Sequence, residues 1–279
     1  GLWDDDDVWR PLGDMENNWA TVGNQQRSAD VALVEKVINS IDAVLTRKCL
    51  EEGIDPESDE APSSMHDATE QFFDVRQGHL ENLDARRRTE LAEESAFLVA
   101  TGLRSRPCYM IVDTGEGQTP NMFPFTFLSL GKSNKLRIPF VQGKFNSGGT
   151  GVLPYCGQEN LQLVISRRAS GIEPTREQDP SRNQWGFTVC RRLPPKNKRK
   201  SSMFVYLAPG GEVPRFKADG IPALPGDHPK AYGKDLQYGS VIKLYEYNLR
   251  GGLNSLATTD LRYAFESRLQ RLCLPFRIC

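Results

Sequence analysis

Residues 31–45 read as an α-helix with a broad apolar face and a narrow polar stripe. At 100° per residue from Glu35, Asn39 falls at about 40° and Asp42 at about 340°, so the three polar side chains lie within roughly 60°. Val31, Val34, Val37, Ile38, Ile41, Val44 and Leu45 fall between about 180° and 320°. Only the small residues Ala32 and Ala43 flank the stripe on its far side, which leaves room for a close approach. The stripe is hard to read as a solvated surface, although an ordinary amphipathic helix also fits the pattern taken alone. Ser28 or Asp30 caps this helix, which is expected to run to about Lys48.

About seventy residues later, the run Cys108-Tyr-Met-Ile-Val-Asp113 reads as a buried strand ending in an acidic turn, Asp113-Thr-Gly115-Glu-Gly117. A carboxylate at the mouth of a sheet can accept a hydrogen bond from an exocyclic amine such as that of adenine. Gly115 and Gly117 let the backbone turn tightly beside a flat ligand. A simple acidic turn has the same composition. Two glycine-rich segments follow. Gly131-Lys132-Ser133 is not a P-loop, because that motif needs a glycine five positions earlier and position 126 is Thr. Residues 143–151, Gly-Lys-Phe-Asn-Ser-Gly-Gly-Thr-Gly, lead into an expected helix start at Val152–Tyr155 and form the better phosphate cradle. A flexible linker is the alternative.

The rest of the chain sets the frame. Its 279 residues suffice for one large domain or two small ones. A formal charge of -1 gives no global attraction to nucleic acid or membrane, and no apolar run approaches the roughly 18 residues of a membrane helix. The six cysteines form no Cys-x-x-Cys pair, which argues against zinc and for reduced core thiols in a cytoplasmic protein. The three histidines read as surface-loop residues. Residues 1–28 look polar and irregular, with Trp3, Trp9 and Trp19 as anchors. Residues 51–64 are a loop, and 66–100 read as a helical pair inserted over one side of the site. Strands are expected at 161–166, 185–190, 202–207 and 240–247, and a closing helix at 255–272. Helices first and meandering strands later imply an α+β fold, a two-layer sandwich of helices on a mainly antiparallel sheet. The chain is expected to be a single domain over 1–279, with a helical insertion at about 51–101 and a long segment at 118–150 that is functional or mobile. It reads as the N-terminal part of a longer protein.

In combination these segments resemble the GHKL superfamily, named for gyrase, the heat-shock chaperone, histidine kinases and MutL. Glu35, Asn39 and Asp42-Ala43 match its first motif, and Asp113, Gly115 and Gly117 its second. Gly131-Lys132-Ser133 resembles the segment before the lid, and Gly143, Gly148, Gly149 and Gly151 the phosphate-binding glycines at its end. Gly239-Ser240-Val241 resembles the late strand, with Ser where the family often has Thr. The match covers roughly residues 18–250. The Asp-Ala ending places the likeness nearer the chaperone and MutL branches than the sensor kinases.

The resemblance implies a Bergerat-type ATP site. Asn39 would hold Mg²⁺ against the phosphates, and Glu35 would deprotonate the attacking water. Asp113 would select adenine with Ser240 in support. Gly148, Gly149 and Gly151, with Lys132 or Lys144, would stabilise the phosphates. Asp42 would line the pocket near the second glycine segment. Residues 118–150 would be the lid, and ATP-dependent homodimerisation would be one output. Two other functions stay open. One is an ATP-binding regulatory module that does not hydrolyse. The other is an ATP-gated nucleic-acid component, supported by the six basic residues within 191–200.

Overall fold

The computed structural model describes residues 1–130, 135–143, 149–172, 179–196, 199–223, 234–249, 258–269 and 271–279. In chain order the elements are β1 (Trp9–Pro11), α1 (Trp19–Gly23), α2 (Ala29–Glu51), α3 (Met65–Phe73), α4 (Ala85–Ser95), β2 (Ala96–Leu103), β3 (Arg106–Asp113), β4 (Gln162–Arg167), β5 (Trp185–Leu193), β6 (Met203–Leu207), β7 (Arg215–Phe216), β8 (Ile221–Pro222), β9 (Asp235–Leu236), β10 (Gly239–Leu244), α5 (Thr258–Glu266) and β11 (Arg277–Ile278). Several short 3₁₀ turns connect them.

The main sheet runs β1-β6-β5-β4-β10-β3-β2-β11, with β7 paired to β5. β11 lies parallel to β2, and the other described pairings of this sheet are antiparallel. Side chains of period two divide the centre of the sheet between two cores. Leu98, Tyr109, Ile111, Ile242 and Leu244 join the core that includes Leu33, Val37, Ile41 and Leu45 of α2. Phe97, Val99, Val112 and Val241 point the other way and pack with Trp185, Ala223 and Leu236, the last on the small β8–β9 ribbon. The fold is therefore mixed, with several helices and a large, mostly antiparallel sheet, as α+β requires.

Helix α2 is buried almost all round, including Lys36, Ser40 and Asp42. A helix in that situation must face protein or a cleft with every side. It packs against β3 and β2.

Three expectations need correction. The helical pair over 66–100 ends at Ser95, and Ala96–Leu103 is an interior strand rather than the end of an insertion. Ala96, Phe97, Leu98 and Val99 are all buried. A continuous apolar run carries no period that separates a buried strand from a buried helix. Second, the predicted helix start at Val152–Tyr155 is only a three-residue 3₁₀ turn, Leu153–Tyr155. It offers no aligned helix terminus to an anion. Third, much of the expected lid is core. Phe123, Leu128 and Phe140 are buried, and Phe140 meets Phe72 of α3 edge-on.

The N-terminal stretch, expected to be irregular, supplies edge strand β1 to the sheet. Trp3 and Trp9 hold the guanidinium of Arg191 between them, at 4.1 and 4.4 Å from their ring centroids. The six cysteines are free, four of them buried. His66 lies on α3 rather than in a loop.

Candidate functional site

A cleft of about 800 Å³ opens between α2, the ends of β3 and β10, and the segments around residues 116–127 and 135–138. Asp113 and Ser240 line its polar floor, and Ser166 continues the row, buried, on the next strand. Antiparallel register sets Ser240 opposite Asp113 and Ser166 opposite Ser240. Directly opposed residues share a face of a sheet, so the three polar side chains converge. Ser166 Oγ lies 3.1 Å from Ser240 Oγ, donates to the Gly239 carbonyl at 2.8 Å and accepts from the Gln118 N–H at 2.9 Å.

Asp113 is 3% exposed. Burial pushes its carboxyl up to about 6, against the opposing pull of the Gly115 N–H, the Ser40 hydroxyl and the Lys135 charge. Gly115 N–H donates to Asp113 Oδ1 at 2.9 Å. A Cβ at Gly115 would stand 2.5 Å from Ala43 Cβ, so only glycine lets this turn press on α2. Glu116 N–H then donates to the Ala43 carbonyl at 3.0 Å. The expected close approach at Ala43 is thus the Asp113 turn itself. Gly117 has φ +61°, and a Cβ there would reach 1.8 Å from the Arg167 carbonyl oxygen. Glu116 and Arg168 form an ion pair at 2.6 Å on the rim.

Along α2, the cleft is lined by Ala43, Ser40, Asn39 and Lys36. Lys135 reaches in from the opposite side, its Nζ 3.4 Å from Asn39 Oδ1 and 3.6 Å from Asp42 Oδ2. Asp42 is fully buried behind the wall and does not line the cleft. Its two oxygens accept from the N–H groups of Gln142 and Gly143, at 2.9 and 2.8 Å. Asp42 therefore positions the start of the second glycine segment. A Cβ at Gly143 would come within 2.5 Å of Asn39 Oδ1.

Glu35 stands beside the cleft rather than in its lining, and accepts a hydrogen bond from the Gln26 amide. Gln25 accepts from Thr150 Oγ1 at 2.6 Å, and Gln26 from the Tyr155 hydroxyl at 2.8 Å. Gly149 lines the cleft and Gly151 is buried beside it. Gly131, Lys132, Ser133, Lys144 and Gly148 lie outside the described residues.

Sequence reasoning missed Lys36, Ser40, Ser166 and Lys135. Lys36 is 3% exposed, and its Nζ donates to the Gly149 carbonyl at 2.6 Å. Burial draws its pKa down to about 8. At about 100° and 140° on the helical wheel, Lys36 and Ser40 follow Ala43 at about 80° on the side away from the stripe, a signal open to reading. Ser166 and Lys135 become neighbours of the site only through tertiary pairing.

Within the basic 191–200 segment, Arg191 is enclosed by Trp3 and Trp9, and Arg199 donates to the Pro194 carbonyl. Among the described residues no group of three metal-ligating side chains occurs, and no helix is long and apolar enough to cross a membrane. Neither protein-family models nor curated proteins give a match to this chain.

Proposed function

We propose that the chain is a Mg²⁺-dependent ATP-binding and slowly ATP-hydrolysing domain of GHKL type, built on a Bergerat-type sandwich. The reading is carried by one observation. Asp113, a buried carboxylate opposite Ser240, shares a cleft with Asn39 on the helix wall. The Asp113 carboxylate accepts the exocyclic amine of adenine, and the Ser240–Ser166 pair fixes its polar surroundings. Asn39 fits a cation, because its carboxamide oxygen already faces the Lys135 ammonium at 3.4 Å. As a hard oxygen donor Asn39 would hold magnesium, which would supply charge neutralisation at the phosphates.

Glu35 takes the proton of the attacking water. The water oxygen bonds to the terminal phosphorus, and the bond to the bridging oxygen breaks to release ADP. Asp42 holds the start of the second glycine segment, at Gln142 and Gly143, beside the phosphates. Conformational change or dimerisation driven by nucleotide state is the output this architecture would serve, in a cytoplasmic setting.

A non-hydrolysing ATP-binding module is the second reading. It is favoured by Glu35, which engages Gln26 and stands outside the cleft lining. Phosphate release at saturating Mg-ATP separates the two. We expect slow turnover that falls on the order of 10²–10⁴-fold in Glu35→Ala, with ATP binding kept. Wild-type turnover no faster than that of the variant establishes the binding module instead.

A further inference from the structure

Lys36 is a buried ammonium with a neutral partner. It is 3% exposed, and its Nζ donates to the Gly149 carbonyl oxygen at 2.6 Å. Among the described residues no carboxylate lies within ion-pair distance of it. A desolvated charge hydrogen-bonded to a carbonyl is costly even with the Glu35 carboxylate acting favourably from beyond ion-pair distance, and an anion in direct contact is a far better partner. The side chain lines the cleft together with Asn39 and Gly149, so an anion entering the cleft can reach it.

Position along α2 says which anion. The base end of the cleft is fixed where Gly115 presses on Ala43 and Ser40 meets Asp113. Lys36 lies four residues from Ser40 and seven from Ala43 toward the N-terminus of the helix, a rise of about 6 to 10 Å. Asn39 sits between the two levels. A nucleotide held by its base at Asp113 and by its inner phosphates near Asn39 presents only its outermost phosphate to Lys36.

We propose that Lys36 is the specificity-determining residue that separates nucleoside triphosphate from diphosphate, by moving from the Gly149 carbonyl to the terminal phosphate. The proposal rests on the ATP reading of the cleft. Its consequence is that triphosphate binding releases the Gly149 carbonyl. The neighbouring Thr150 is tied to Gln25, so the N-terminal segment beside Glu35 feels the change. No bond is made or broken in this step.

The test is calorimetric titration of ADP and of a non-hydrolysable ATP analogue, with Mg²⁺, into wild type, Lys36→Gln and Lys36→Met. Gln keeps a neutral donor for Gly149, and Met fills the same space without charge. Loss of the charge should weaken the triphosphate analogue about tenfold or more while ADP changes by less than about threefold. Equal weakening of both nucleotides, or of neither, overturns the inference and leaves the ATP site standing. Absence of binding of either nucleotide to wild type overturns both.

Discussion

Asp113 shows what a buried carboxyl costs a fold. Its carboxyl lies near 6 rather than at the ordinary 3.8, chiefly because burial disfavours the charged form. The folded chain therefore holds this proton more tightly than the unfolded chain. Stability from this group is intact below the unfolded value and falls as pH rises through the folded one. At neutral pH the penalty is on the order of 2–3 kcal/mol. Asn at this position still accepts the Gly115 N–H but carries no charge. Asp113→Asn is therefore expected to unfold about 1–2 kcal/mol later than wild type at pH 8, with the gap closing toward pH 4. Urea denaturation at both pH values checks this, and a variant less stable at pH 8 contradicts it. Lys36 repeats the theme with opposite charge, drawn down to about 8 by burial. Buried, destabilised charges gathered in one cleft are the pattern expected of a site kept for function rather than stability.

At the scale of elements, α2 was the legible part of the chain. Its apolar period survives, because a helix 23 residues long carries several turns of signal, while of the polar stripe only Asn39 lines the cleft. The turn at Asp113 was legible for the same local reason, since Asp-x-Gly-x-Gly encodes its own geometry. What could not be read was anything created by pairing. Ser166 looks like an ordinary strand end until β10 sets it beside Ser240. Strand β2 looks like the end of a helix until burial on both faces decides otherwise. The N-terminal stretch looks irregular because its order comes from one buried amide. Asn18 donates to the carbonyls of Leu12 and Phe204, at 3.1 and 2.8 Å, and accepts from the Phe204 N–H at 2.8 Å. Asn18→Ala strips three buried backbone groups of their partner, and we expect a loss of roughly 2–4 kcal/mol. Denaturant unfolding measures it, and a loss below about 0.5 kcal/mol would mean that the edge strand is held by Trp3, Trp9 and Arg191 instead.

Taken whole, the molecule sets one long helix across a mostly antiparallel sheet and leaves a cleft where the two meet. The sheet side of that cleft offers a carboxylate and hydroxyls, and the helix side offers an amide and an ammonium. The segments around residues 116–127 and 135–138 close its remaining walls with apolar side chains such as Met122, Phe125 and Ile138. In the proposed reading one end takes the base and the other the phosphates. The central claim is that adenine nucleotide binds here through Asp113. Calorimetric titration of Mg-ATP into wild type and Asp113→Asn tests it directly. Micromolar binding to wild type is expected, with at least a hundredfold loss, about 3 kcal/mol, in the variant, whose fold remains intact. Equal affinity in the two proteins, or no binding to wild type, would contradict it.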